Sequence, residues 1–455
     1  MGKSRLKAID LFAGAGGLSL GLEFAGIDVV GSIEYCEKAV TTYRHNFPGH
    51  LAICHDISTY PPERLEDELK QKKGLRKHDI DLVVGGPPCP GFSNIGRSKI
   101  VSLLRDGSWS WSEDEHQETR HQFIQDPRNE LFLEFVKYVK HFEPRFYVME
   151  NVPGMLSSKN EREQIIPLLV KQAFAEIGYD CKWKILSADD YGVPQARQRL
   201  IFIGWRSDKP EDAFSHPEPT VVKKYTSVDG ISDLPHVGLN GGPYEQYNGQ
   251  QGRYPNAYQT LMRYKAYRDA GKIDPRLGRI PTSKAAITCH VGRAVNPRDR
   301  AIFPLLTAKK GEKRVTYDQI EPSELVFPGT WQWDEERELV WNGKTGEDEK
   351  TYKWYNRKTF KDKMRRIPAH KPSPTLVAHM AVDTYMYIHP TEDRTITPRE
   401  AARIQSFPDS FDFSVVSFTS QYRQIGNAVP PLMAQAIVSQ IAQPLEQVAT
   451  GKLPV

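Results

Sequence analysis

Cysteine is scarce in this chain, with five in 455 residues, at positions 36, 54, 89, 181 and 289. They stand far apart and include no C-x-x-C pair, which argues against a disulfide scaffold or a zinc site and fits a reducing, intracellular setting. Long apolar runs are missing as well. No stretch approaches the roughly 18 residues of a membrane span. The start, Met1-Gly2-Lys3-Ser4-Arg5-Leu6, lacks a signal peptide's apolar segment, and Leu6 stands where myristoylation wants Ser or Thr. Net charge is only +4, too small to point to nucleic acid by itself. Internal repeats and long low-complexity segments are absent too.

What is present is a globular composition, 39% hydrophobic and 26% charged, in a chain too long for one ordinary core. Residues 1–205 alternate short apolar runs with amphipathic stretches. Strands are expected at Leu6–Phe12, Asp28–Ile33, Asp81–Val84, Phe146–Met149 and Leu200–Gly204. Helices are expected at Leu18–Phe24, Glu37–Asn46, Pro62–Lys72, Leu131–His141 and Glu161–Ile177, with Pro167 kinking the last or marking its true start. This alternation predicts an α/β fold with a doubly wound parallel sheet. Asn94 to Gln125 breaks the rhythm and reads as a mobile flap. From 206 to 396 the alternation disappears, and a second, smaller domain of irregular and β structure is expected. Its charge is segregated: 253–314 carries 15 Lys/Arg against 4 Asp/Glu, and 350–371 carries 9 against 1. Aromatic residues interleave with the second basic segment, which suits either a nucleic-acid surface or a solvated face. Helical signals return at 397–455, where Thr397-Pro398-Arg399-Glu400 reads as a capped helix start and a last helix follows Pro431.

Several strand ends carry chemistry. Asp10-Leu11-Phe12-Ala13-Gly14-Ala15-Gly16-Gly17 looks like a strand entering a glycine-rich turn. A dehydrogenase fingerprint would need a third Gly or Ala where Ser19 stands. Glu34 ends the next strand, where an acid can hold ribose hydroxyls. Tyr35 can stack on adenine, and Asp56 can accept from its amino group. Cys89, in Gly85-Gly86-Pro87-Pro88-Cys89-Pro90-Gly91-Phe92-Ser93, is presented on a proline-stiffened loop as a nucleophile. Glu150 ends the strand Val148-Met149-Glu150-Asn151, and a partly buried carboxylate there can share a proton. In Gln195-Ala196-Arg197-Gln198-Arg199 the two arginines point the same way, toward a phosphate, a base carbonyl or a carboxylate. Taken singly, a buried turn cysteine, a solvated loop acid and a charged sheet edge are the plainer readings.

Taken together, these motifs resemble those of the DNA (cytosine-5)-methyltransferases, in that family's order. They run from Asp10–Gly17, Glu34, Asp56-Ile57 and Gly85–Ser93 through Asp126–Phe132, Glu150–Val152 and Gln195–Arg199. Arg399–Asp409 and Gln424–Pro431 complete the set. The resemblance covers 1–205 and the last 60 or so residues. It implies a Rossmann-like methyltransferase domain at 1–205, a target-recognition domain at 206–396, and a C-terminal segment, 397–455, returning to the first. The cofactor it implies is S-adenosylmethionine, bound by Phe12, Gly14, Gly16, Glu34, Tyr35, Asp56, Ile57, Pro88, Leu131 and Asn427; no metal is implied. Cys89 would attack C6 of a flipped-out cytosine and Glu150 would engage N3. Arg199 would contact O2, and Arg197 would steady the cysteine loop. The substrate implied is double-stranded DNA; transfer-RNA cytosine-5 methylation is the alternative. Pro90 stands where the family more often has Gln, and the 94–125 loop is long for it. A monomeric, cytoplasmic, prokaryotic enzyme is expected, with a cognate restriction endonuclease or other defence proteins as candidate partners.

Overall fold

The computed structural model describes residues 5–88, 131–157, 165–208, 215–237, 256–263, 287–295, 297–306, 315, 317–320, 330–333, 339–345, 348–353 and 364–449. Cys89 and the rest of its loop through Ser93, the expected flap and Asp126–Glu130 lie outside them.

The first half alternates as its periodicity predicts. Strands β1 (Lys7–Leu11), β2 (Asp28–Glu34), β3 (Leu51–Cys54), β4 (Leu82–Gly85) and β5 (Phe146–Asn151) are joined through helices α1 (Gly17–Phe24), α2 (Glu37–Asn46), α3 (Pro62–Lys73) and α4 (Leu131–Phe142). Helix α5 (Ile166–Ala175) begins with Pro167 at its second position, so the proline marks the start rather than a kink. Two longer strands follow, β6 (Tyr179–Ser187) and β8 (Gln198–Arg206), separated by the two-residue β7 (Gln195–Ala196). The seven-stranded sheet has the order β3-β2-β1-β4-β5-β8-β6. Its first five strands are parallel, and β8 runs antiparallel to both neighbours. β3 and the two-residue β7 were not among the strands expected from sequence, and neither was β6. β6 is an edge strand with a mixed burial pattern, and charged residues in it mask the alternation.

One face of the sheet buries Phe135, Tyr138 and Phe174 with Tyr147, while the other packs α1 against the last helix. That helix, α11 (Pro431–Ala449), comes so close that a side chain at Gly21 would start 2.4 Å from the Ala434 Cβ. In the middle region, α6 (Ser227–Ile231), α7 (Ala257–Arg263) and α8 (Pro297–Ile302) are short, and β9 (Thr330–Trp333), β10 (Leu339–Thr345) and β11 (Asp348–Lys353) form an antiparallel sheet. Phe303, Leu306, Tyr317, Met364 and Ile388 make a small core of their own. The flanks of that region belong elsewhere: Ile231, Leu234, Leu376 and Ile396 share a core with Leu20, Phe24 and Phe407. The strand β12 (Ser373–Pro374) pairs with β7.

Helix α9 (Pro398–Ile404) starts at the expected capping box, with Thr397 accepting from the Glu400 N–H and donating its own N–H to Glu400. Arg403 is fully buried between Asp233 and Asp409, a charge-paired tie between the two halves of that core. Helix α10 (Phe418–Asn427) ends beside α11.

Candidate active site

The parallel strands all direct their C-terminal ends to one edge. Leu11 is level with Ile33 and Gly85, and Gly85 with Met149. β8 runs the opposite way, so it enters the sheet at that same edge, with Leu200 beside Asn151. Phe12, Tyr35, Asp56, Gly86, Glu150 and Arg199 are therefore gathered along it. Open α/β sheets bind ligands there, at the point where strand order reverses, here between β1 and β4.

On the β1–β2–β3 side, the turn into α1 takes three positive φ angles, at Phe12 (58°), Gly14 (55°) and Gly16 (97°). Gly16 has no substitute, because a Cβ would sit 2.4 Å from the Phe47 ring. At Gly14 the opposite holds: no atom of the described residues beyond its chain neighbours lies within 4 Å of where a side chain would start. Glu34 accepts from the Gly14 N–H (2.9 Å) and the Cys36 N–H (2.8 Å), and burial raises its carboxyl pKa. Asp56 caps a short turn over a buried Ile57 and accepts from the Ser58 hydroxyl (2.7 Å) and N–H (2.9 Å), which lower its pKa. Tyr35 is 75% exposed beside them. Pro88 and Asn427 are also exposed, and Leu131 is half-buried at the start of α4.

On the β4–β5–β8 side, Glu150 Oε1 accepts from Arg199 Nε at 2.6 Å. Their side chains are only 14% and 13% exposed, so the contact is largely shielded from water. The chain leading to Cys89 is held against this pair. Asn151 Nδ2 donates to the Pro87 carbonyl (3.1 Å), and a Cβ on Gly86 would lie 2.8 Å from Glu150 Oε2. Arg197 was expected to steady the cysteine loop, which from Cys89 onward lies outside the described residues. It is fully buried behind the pair, near enough for Arg199 and Glu150 to act on its charge. Its hydrogen bonds go to the carbonyls of Leu376 (2.7 Å), Gly426 (3.1 Å) and Asn427 (3.5 Å). Arg197 sits in the break between β7 and β8 and projects into the returning C-terminal segment.

Residues 6–443 match the family described as C-5 cytosine-specific DNA methylase. The chain belongs to the C-5 cytosine-specific DNA methylases. It is 33% identical to the Type II methyltransferase M.DdeI of Desulfomicrobium norvegicum, over 97% of this chain and 90% of that one. It is 31% identical to M.XorII of Xanthomonas oryzae, over 96% and 85%. An E. coli prophage protein assigned provisionally as a DNA modification methyltransferase has a similar crystal structure. Its TM-score is 0.63 at 25% identity, over 97% of this chain and 99% of that one. The enzyme is accordingly a DNA (cytosine-5)-methyltransferase on a Rossmann-like sheet. Among the described residues, no helix is long and apolar enough to cross a membrane, and no cluster of His, Cys, Asp and Glu is arranged to hold a metal.

The methylase has positioning residues that the sequence reading did not assign. Asn151 lies within the Glu150–Val152 motif and holds the Pro87 carbonyl. Gln195 donates to Gln405 and accepts from the Leu376 N–H, and Gln405 holds the Ile425 and Ala428 carbonyls (both 2.9 Å). Both glutamines lie inside motif stretches, which was the available signal. Behind the glycine turn, Asp10 is fully buried and accepts from the Ser19 hydroxyl (2.6 Å).

Proposed function

We propose that this methylase converts a cytosine within a specific sequence of double-stranded DNA to 5-methylcytosine through a covalent adduct at Cys89. The observation that carries the reading is the anchoring of Gly86 and Pro87 against the Glu150–Arg199 pair, two residues before the only cysteine of that motif.

Cytosine C5 is a weak nucleophile. Attack of the Cys89 thiolate on C6 forms the S–C6 bond and pushes the ring electrons toward C5 and N3. Glu150 shares a proton with N3 as negative charge builds there, and Arg199 serves the base O2 while holding Glu150 in place. Once C5 carries the methyl group, loss of the C5 proton and departure of the Cys89 sulfur restore the ring. None of this is reachable inside a duplex, so the base is flipped out, at a cost of a few kcal/mol.

The methyl donor that fits is S-adenosylmethionine, which supplies an electrophilic methyl group when bound. Glu34 would hold its ribose, Phe12 and Tyr35 its adenine, and Asp56 the adenine amino group through an oxygen not used in capping. The open space at Gly14 leaves the backbone accessible to it. Ile57, Pro88, Leu131 and Asn427 would complete the pocket. The Type II names of the relatives support a restriction-modification setting with a cognate endonuclease, in which this chain acts as a monomer in the bacterial cytoplasm, with residues 206–396 reading the target.

The test is bisulfite sequencing of DNA from a methylation-free host expressing the chain or its Cys89→Ser variant. Methylated cytosines confined to one short motif, and absent with the variant, are expected. Methylation by the variant at the wild-type level would refute the adduct.

A further inference from the structure

The buried Asp10 is not isolated. A continuous line of hydrogen bonds leads from it to the surface. The Ser19 hydroxyl reaches Asp10 Oδ2 at 2.6 Å and the Tyr43 hydroxyl at 2.8 Å. Tyr43 meets His50 Nδ1 at 3.0 Å, and His50 Nε2 meets Glu23 at 3.0 Å. Asp10, Ser19 and Tyr43 are almost wholly shielded, whereas His50 and Glu23 are 11% and 23% exposed and line a cavity of about 300 Å³. The chain therefore has a dry end beneath the glycine turn and a wet end at the surface.

We propose that Tyr43 and His50 are positioning residues for methyl-donor binding, setting the charge on Asp10 by passing a proton along this chain. The proposal rests on the reading of the Glu34–Gly14 turn as the cofactor site. Two arrangements have the same number of protons. In the first, Asp10 is a carboxylate, Ser19 donates to it, Tyr43 donates to Ser19, and a doubly protonated His50 donates to Tyr43 and Glu23. In the second, each of the three protons along the line has moved one step. His50 Nδ1 now accepts from Tyr43, Tyr43 from Ser19, and Ser19 from a neutral Asp10. No proton is gained or lost, and every link stays bonded in both.

The geometry makes the choice consequential. Asp10 Oδ2 also accepts the Ser19 backbone N–H (3.1 Å), in the first turn of α1, so its charge acts on the helix end that follows the glycine turn. Among the described residues Asp10 Oδ1 meets no hydrogen-bond partner, a costly state for a buried carboxylate and a reason to shed charge when nothing compensates it. Burial raises the Asp10 pKa to about 7, with the nearby Glu34 adding to the rise. The other groups facing the line are Ser32, which bonds Tyr43, and the charged Arg5, Asp28 and Lys73 around the His50 cavity. A sulfonium cofactor is a cation, and its arrival favours the carboxylate form. Affinity for it is then expected to tighten as pH rises through the Asp10 transition and to level off above it.

The experiment is calorimetric titration of S-adenosylmethionine into wild type, Tyr43→Phe, His50→Gln and the double variant, from pH 5.5 to 8.5. His50→Gln removes the group that takes the Asp10 proton, so the midpoint of the affinity profile moves up by about one pH unit, up to tenfold in Kd between the two midpoints. In the Tyr43→Phe background the same substitution moves it no further, because the link is already cut. A merely structural His50 would change Kd equally at every pH. The proposal is overturned if His50→Gln leaves the midpoint in place, or shifts it equally with and without the Tyr43 hydroxyl. A wild type that binds no S-adenosylmethionine at any pH would instead overturn the cofactor reading. His50 is partly exposed, so its variant stays informative if Tyr43→Phe fails to fold.

Discussion

Replacing Glu150 by glutamine isolates one element of the chemistry. The amide has the carboxylate's shape, and its oxygen can still accept from Arg199 Nε, which now lies 2.6 Å from Oε1. Its NH2 can still donate toward a base nitrogen. What it cannot do is yield a proton to N3 or take it back. General acid–base participation contributes about 10²–10⁴-fold in rate, equivalent to about 3–5 kcal/mol in the barrier. The neutral contact with Arg199 also loses its charge assistance, and roughly 1 kcal/mol of positioning with it. The expected outcome is a fall in methyl transfer of at least about a hundredfold, with cofactor affinity unchanged because Glu34 and Asp56 lie on the other half of the edge. Single-turnover transfer of labelled methyl to unmethylated DNA, with enzyme in excess, measures the step directly. A rate within threefold of wild type would refute the assignment of proton sharing to Glu150. An equal loss in cofactor affinity would show that the two halves of the site are not separable.

Three further outcomes follow from particular contacts. Gly86→Ala places a methyl group 2.8 Å from Glu150 Oε2 and must displace that carboxylate by about half an ångström; transfer is expected to fall roughly tenfold or more, with little change in the urea midpoint. Arg197→Met keeps the volume but leaves the Leu376 and Gly426 carbonyls without their donor. The loss expected is about 2–4 kcal/mol, after allowing for the relief of a buried charge, read from chemical denaturation. His389 is buried and its pKa is lowered to about 4, chiefly by burial. The unfolded chain therefore takes up that proton first, and stability is lost as pH falls from about 6.5 toward 4. His389→Asn keeps an acceptor for the Thr391 and Glu392 N–H groups and should reduce this acid sensitivity by up to about 3 kcal/mol, measured as urea midpoints at pH 7 and 4.5.

Much of the architecture was legible because it is written in local signals. The β1 glycine turn, the capping box at Thr397–Glu400 and the proline that opens α5 each impose a backbone conformation on their own residues. Period alone placed the first helices and most strands. β6 escaped because an edge strand need not bury one whole face, so its sequence carries no clean alternation. The candidate residues were equally legible as types at strand ends, since parallel strands must deliver their C-terminal ends to one edge.

By itself, then, the sequence determined the fold class, the order of the motifs and the family, because spacing along the chain is enough to specify each. Tertiary structure alone decided which groups meet. Glu150 and Arg199 are 49 positions apart in the chain and touch only because β8 returns antiparallel beside β5. Arg197, two residues earlier, turns instead to carbonyls of the C-terminal segment. The line from Asp10 to Glu23 joins residues from β1, α1, α2 and the turn after it. No local pattern encodes such a line, because each of its links depends on how α1 and α2 are pressed together by the rest of the protein.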